Sequence, residues 1–387
     1  MRKTFLIFGS PRIEEDEIRE VVDSLRTSWL GTGPKVARFE EMFREYIGAQ
    51  YAVAVHSCTA ALHLSMIASG IGAGDEVITT PMTFAATANA IVHTGATPVF
   101  ADINRSTLNI EPGEIEKKIT SSTKAILPVH FAGRACDIAS ISDIASRSNL
   151  LVINDAAHAI ETEYCGKKIG CYGAMTAYSF YATKNIVTGE GGMVVTDNHE
   201  MADRIKIFAL HGMTKDAWKR FSDSGYKHYE VVYPGFKYNM MDLQAAIGIH
   251  QLKKIEIFSV RRREIWDRYN EAFKGLPVFL PSPAAPNTRH ALHLYTLLLD
   301  IENLTITRDE FLDLMFRENI GTGVHYTALH LHPYYRERFG YAKGDFPNTE
   351  FVADRTVSIP LSAKLTDEDV DDVVGAVTQI LESHHRS

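Results

Sequence analysis

Between about residues 50 and 200 the chain alternates short apolar runs with stretches of helical periodicity, and few folds accommodate that rhythm. The runs cover 51–55, 76–80, 98–103, 125–130, 150–155, 174–180 and 192–196. Between several of them, 59–69, 85–94, 115–119 and 138–148 read as helices. Strands apolar on both faces and separated by helices predict an α/β fold built on a mainly parallel, seven-stranded sheet covered by helices. Ligands in such folds bind beyond the carboxyl ends of the strands. Chemistry is therefore expected in the residues that follow each run.

Residues 240–273 read as one long helix, with Lys253-Lys254 and Arg261-Arg262-Arg263 on its exposed side. Pro277, Pro281, Pro283 and Pro286 then interrupt the pattern. At 387 residues the chain exceeds a single compact core. A large domain over 1–250 is expected, with a smaller α+β domain over 251–387 that begins in the long linking helix. The net charge of −8 argues against wrapping nucleic acid or coating an anionic membrane. Basic residues open the N-terminus, but Pro11 and the acidic run Glu14–Asp16–Glu17 cut its apolar stretch short, unlike a signal peptide. No stretch approaches the roughly 20 apolar residues a membrane helix needs. Cys58, Cys136, Cys165 and Cys171 lack the close pairs of zinc ribbons and read as free thiols in a reducing cytoplasm.

Three strand ends carry candidate chemistry. Ser57-Cys58-Thr59-Ala60-Ala61 follows the first run and opens a helix, where hydroxyls and free amides suit an anion. The same residues also read as an ordinary helix cap. A second hydroxyl cluster, Ser179 near Thr183, supports the anion reading. Asp155 ends a nearly wholly apolar run, where a carboxylate demands a partner. It caps the next helix or accepts a hydrogen bond from a protonated pyridine nitrogen, which turns pyridoxal phosphate (PLP) into an electron sink. Lys184 follows a buried strand and precedes Gly189-Glu190-Gly191-Gly192, with small or aromatic neighbours that suit a partly desolvated amine.

Taken together, the motifs Ser-Cys-Thr-Ala-Ala-Leu-His-Leu (57–64), Thr-Phe-Ala-Ala-Thr (83–87), Asp-Ala-Ala-His (155–158), Ser-Phe-Tyr-Ala-Thr-Lys-Asn (179–185) with Gly-Glu-Gly-Gly (189–192), Tyr-Asn-Met-Met-Asp-Leu-Gln-Ala-Ala-Ile-Gly (238–248) and Val-His-Tyr…Leu-His…Pro-Tyr-Tyr (324–335) resemble the DegT/DnrJ/EryC1/StrS sugar aminotransferases. The likeness runs from about Trp29 to the Leu361 region. It implies a PLP fold-type I enzyme in which Lys184 carries the cofactor as a Schiff base and shuttles the proton. It places Asp155 at the pyridine nitrogen, Phe84 on the ring face and His158 beside the phenolic oxygen. Cys58, Thr59 and Ser179 would cradle the phosphate, joined by Asn239 from a second subunit, so a homodimer with shared sites is implied. Where relatives often carry Arg after the Tyr-Asn pair, this chain has Met240-Met241.

The same resemblance assigns His325, Tyr326 and His330 to a sugar pocket. It adds Trp29, and Lys219 or Arg220 in a loop like that of C4-aminating members, as substrate contacts. The implied reaction moves an amino group from L-glutamate, through pyridoxamine phosphate, to a nucleotide-linked keto-sugar for lipopolysaccharide or a related glycan. Amination at C3 and a sugar dehydratase of the same fold are the alternatives, although such dehydratases replace the Schiff-base lysine with His. His330-x-His332 and His290-x-x-His293 lack the companion ligands of a zinc site, so no metal is expected. Gly70-Ile71-Gly72-Ala73-Gly74 precedes a strand and reads as a turn, not a dinucleotide fingerprint.

Overall fold

A computed structural model describes residues 2–214 and 229–386. Two helices come first, α1 (Glu15–Thr27) and α2 (Pro34–Ile47). Pro34 suits the first turn of α2, where its missing N–H has no helical acceptor to lose. Val36, Phe39, Phe43 and Ile47 recur at helical spacing and turn one buried face of α2 toward the sheet.

The sheet region then runs β1 (Tyr51–Val55), α3 (Cys58–Ala68), β2 (Glu76–Thr79), α4 (Ala85–His93), β3 (Thr97–Phe100) and α5 (Pro112–Glu116). It continues with β4 (Thr123–Ile126), α6 (Ile138–Arg147) and β5 (Leu151–Asp155). After a small hairpin, β6 (Glu163–Tyr164) and β7 (Lys167–Lys168), come β8 (Met175–Ser179), β9 (Gly192–Thr196) and α7 (His199–Ala209). The seven long strands lie in the order β1-β9-β8-β5-β4-β2-β3. Pairing from β3 across to β8 is parallel, while β9 runs antiparallel to both β8 and β1. The carboxyl ends of β1, β5 and β8 therefore share one edge, and β9 begins there.

Three elements are shorter or shifted relative to the sequence pattern, each for a local reason. The run 98–103 leaves the sheet after Phe100, and Asp102 turns to accept the amides of Asn348 and Thr349 at 2.9 Å each. The run 125–130 is interrupted as a regular strand near Pro128, which has no N–H to give, and its bonds to β5 resume at Val129 opposite Asp155. The helix expected at 115–119 forms instead at Pro112–Glu116, started by Pro112.

Helix α8 (Asp242–Ala272) is 31 residues long and serves two cores. Ala245, Ile249, Leu252 and Ile255 pack with α2 and the sheet. Ile265, Trp266, Tyr269 and Phe273 enter a second core with the C-terminal elements. Those elements are β10 (Val278–Phe279), β11 (Thr288–Arg289), β12 (Tyr295–Leu299), α9 (Arg308–Arg317), α10 (Pro333–Phe339), α11 (Pro347–Ala353), β13 (Thr356–Ile359) and α12 (Asp367–Ser383). Strands β10, β12 and β13 make a second, antiparallel sheet, and β11 returns to pair with β6.

The basic face expected on α8 is only partly exposed. Arg262 is 2% exposed and paired with Glu161, itself fully buried, because helix position 262 faces the segment between β5 and β6 and not solvent. Lys254 also pairs inward, at 2.9 Å from Glu17.

Candidate active site

At the shared edge a cavity of about 440 Å³ opens, lined by Cys58, Thr59, Phe84, Asp155, His158, Ser179, Lys184, His325 and Tyr326 among others. Residues scattered over 269 positions thus meet because three strand ends and the 323–326 loop converge there.

Lys184 sits in a turn that closes on itself. Its amide donates to the Tyr181 carbonyl at 2.9 Å, while Phe180 donates to Gly191 and Thr188 to Phe180. Lys184 keeps some exposure as a residue, but its amine is enclosed. Burial lowers its pKa from 10.5 to about 8, with Cys58 and Asp155 opposing the shift. A substantial neutral fraction is thereby available near physiological pH.

Asp155 is 4% exposed at the end of β5. Burial raises its carboxyl pKa; the Ala157 amide at 3.1 Å, the Thr87 hydroxyl at 2.8 Å and the charge of Lys184 oppose the rise. Thr83 supports Thr87 in turn, oxygen to oxygen at 2.8 Å. Among the described residues no helix directly follows β5 for Asp155 to cap; its carboxylate gathers the donors of the next turn and of Thr87, and it lines the cavity.

Ser57 caps α3 by accepting the Ala60 amide at 3.2 Å, which leaves Cys58 and Thr59 as the first helical residues on the cavity wall. Opposite them, Ser179 accepts the Tyr181 amide at 3.3 Å. Gly192 explains part of the glycine run, since a Cβ there would lie 2.5 Å from the Ser57 carbonyl. The start of β9 and the start of α3 touch backbone to backbone.

His158 accepts the Ala132 amide on Nδ1 at 3.2 Å, and its Nε2 lies 3.2 Å from the Tyr326 hydroxyl. Burial holds its pKa well below the ordinary value, aided by Lys184. His325 is likewise held down, to about 4, mainly by burial, with its Nδ1 at 2.9 Å from Ser358 Oγ. Phe84 stands at the mouth, 62% exposed, its ring 6.1 Å from that of Tyr326.

Other expected positions lie elsewhere. His330 is fully buried under α11, with Nε2 3.0 Å from Glu350 and its ring 4.7 Å from Phe346, so it does not line this cavity. The 3-10 turn at Leu329–Leu331 directs its side chain into the apolar packing. Trp29 is half exposed and donates to the Thr32 carbonyl at 3.4 Å, outside the cavity wall. Asn239 donates to Thr32 at 2.6 Å and lines a second cavity of about 270 Å³ with Glu40 and Lys206. Lys219 and Arg220 lie outside the described residues.

Several neighbours escaped the sequence reading. Thr83 and Thr87 carried a usable signal, hydroxyls four apart at a helix start. Tyr181 lines the cavity, and His293 packs on His158 with ring centroids 4.4 Å apart, although its sequence spacing suggested only a failed metal pair.

The donor set fits PLP: a lowered-pKa amine, a buried carboxylate held by two donors, and hydroxyls at a helix N-terminus for a phosphate. Solved structures agree. A sugar aminotransferase of Streptococcus pneumoniae, Spr1654 in its PMP form, matches with TM-score 0.92 and 32% identity over 98% of this chain and 99% of that one. Helicobacter pylori PseC, an aminotransferase of pseudaminic acid biosynthesis, matches with TM-score 0.90 and 31% identity over 98% and 100%. The architecture is that of the PLP fold-type I aminotransferases. In sequence, the chain is 51% identical to the spore coat polysaccharide biosynthesis protein SpsC of Bacillus subtilis, over 98% of both. The model of the DegT/DnrJ/EryC1/StrS aminotransferase family matches residues 11–378, and the chain belongs to that family.

Proposed function

We propose that this PLP-dependent aminotransferase moves the amino group of L-glutamate to C4 of a nucleotide-linked keto-sugar, as a cytoplasmic homodimer that serves surface-polysaccharide synthesis. One observation carries the reading: Lys184 and Asp155, from two strand ends, line a single cavity with a helix N-terminus. The glycan context is supported by the Bacillus subtilis relative of spore coat polysaccharide biosynthesis and by PseC. Among the described residues, no helix is long and apolar enough to cross a membrane.

When bound, PLP supplies the carbonyl carbon that carries the amino group and a ring that withdraws electrons. The Lys184 amine, neutral in substantial fraction near pH 8, takes the α-proton from glutamate and later delivers a proton to the sugar carbon. The Asp155 carboxylate, held by Thr87 and Ala157, would accept a hydrogen bond from the cofactor's ring nitrogen. Cys58, Thr59 and Ser179 offer donors to the phosphate, and Asn239 of a second copy completes that cradle. His158 keeps its Nε2 proton for donation, because the Ala132 amide occupies Nδ1. Phe84 and Tyr326 shield the site from water at its mouth.

The test is transfer of label from L-[15N]glutamate to a panel of keto-sugar nucleotides, with NMR locating the new C–N bond. Lys184→Ala is expected to abolish both the transfer and the yellow absorbance of the holoenzyme; retention of both refutes the assignment. A product aminated at C3 removes the C4 reading and leaves aminotransfer intact.

A further inference from the structure

A buried polar chain begins at the residue after Lys184. The Asn185 amide nitrogen lies 3.0 and 2.8 Å from the two Glu161 oxygens and 2.9 Å from the Ala291 carbonyl. Three acceptors around one atom fix which end of the amide is which. Its oxygen therefore faces His293 Nδ1, at 3.0 Å. An amide oxygen only accepts, so His293 carries its proton on Nδ1 and keeps a lone pair on Nε2. His158, against which His293 packs, has the opposite arrangement: the Ala132 amide takes Nδ1, and the proton sits on Nε2, toward Tyr326. A Tyr326 hydroxyl that accepts from His158 still has its own proton to give, and Tyr326 lines the cavity.

On its far side Glu161 pairs with Arg262 of α8. Glu161 is 0% exposed, Arg262 2%, His293 5% and His158 7%. A buried ion pair is a poor device for stability alone, since desolvation offsets much of the attraction. This one sits two hydrogen bonds from the imidazole packed on His158. Its carboxylate supplies the two acceptors that orient Asn185, where a neutral amide would offer one.

We propose that Glu161 is a positioning residue for amino transfer. By orienting the Asn185 amide it fixes the tautomer and place of His293, whose ring packs against His158 and keeps that imidazole in position, while the Ala132 amide sets His158 as an Nε2–H donor to Tyr326. Tyr326 then presents its hydroxyl proton to the substrate side of the cavity. The inference rests on the reading of the Lys184 cavity as the aminotransfer site.

The experiment combines 15N NMR of histidine-labelled holoenzyme with steady-state kinetics on Glu161→Gln and His293→Phe. The Phe variant keeps a flat ring against His158 and leaves the Glu161–Arg262 pair intact, so it serves even if Glu161→Gln does not fold. In the parent, His293 is expected as the Nδ1–H and His158 as the Nε2–H tautomer. Glu161→Gln is expected to mix the His293 tautomers, and both variants to lower kcat about tenfold with KM for glutamate little changed, the scale of one buried hydrogen bond. Unchanged kcat in His293→Phe, or an unchanged His293 tautomer in Glu161→Gln, overturns the proposal. The tautomers are read without turnover, so failure of aminotransfer in the Lys184→Ala comparison registers separately.

Discussion

The Thr87 hydroxyl donates to Asp155 Oδ2 across 2.8 Å, joining the first turn of α4 to the end of β5. A hydrogen bond to a charged group contributes about 1.5–3 kcal/mol. Thr87→Val keeps the shape and removes the donor, so PLP is expected to bind on the order of tenfold more weakly, read by equilibrium dialysis. Parental affinity in that variant would remove Thr87 from the site.

The enclosed Lys184 amine provides a pH signature. In the cofactor-free protein, its modification by an amine-directed reagent, followed by mass spectrometry, is expected to rise with a midpoint near 8. Surface lysines should follow only at higher pH. Folding lowers this pKa, so the folded chain binds fewer protons between about 8 and 10.5 and stability rises with pH through that window. Lys184→Met should therefore gain most over the parent below pH 8 and nothing above 10.5. A midpoint shared with surface lysines contradicts the enclosure.

Glu40 behaves in the opposite sense. Burial raises its carboxyl pKa to about 7, against the opposing charge of Lys206 and the Ala54 amide at 2.8 Å. The folded chain then takes up a proton between 4.5 and 7, and the penalty is full above 7 and absent below 4.5. Glu40→Gln keeps an acceptor for Ala54 and should stabilise by roughly 3 kcal/mol at pH 8. Denaturation at pH 4.5 should show no gain; an equal gain at both pH values would falsify the assignment.

Removal of the His330 ring should unfold the enzyme more readily without touching catalysis. His330→Ala leaves a hole beside Phe346 and removes one of two partners of Glu350 Oε1, the other being the Gly344 amide, a loss of roughly 2–4 kcal/mol. Thermal unfolding should register that loss, while KM for the sugar nucleotide stays at the parental value. A selective rise in KM would return His330 to the substrate pocket.

A shared site predicts complementation. Lys184→Ala and Asn239→Ala proteins, each impaired alone, should regain activity when unfolded and refolded together, because one of the two sites in a mixed dimer has both residues. No recovery means that Asn239 does not act across subunits.

The alternating runs were sufficient for the layered sheet, because strands buried on both faces advertise themselves as unbroken apolar stretches. They could not announce that β9 runs antiparallel, since pairing direction leaves no mark on a fully apolar run. Lys184, Asp155 and the 57–59 turn were legible because charge or hydroxyl ends an apolar strand at each. His293 was not, because its role depends on a stack with a residue 135 positions away. Arg262 was misjudged for a related reason: an arginine triplet reads as solvated until its helix is seen wedged against Glu161. His330 shows the reverse case, a polar residue inside a motif that the fold buries against Phe346 and Glu350.

The contact of Gly192 with Ser57 ties two motifs that lie 135 positions apart in the chain. With only hydrogen at position 192, the strand start and the helix cap share one mould, and neither can be re-cast alone. A side chain there would press on the helix whose first residues line the Lys184 cavity, and a longer lysine loop would have to be absorbed before residue 192. Inheritance of the lysine motif and the 57–59 turn is therefore expected to be joint, and engineering of either must treat the pair as a single part.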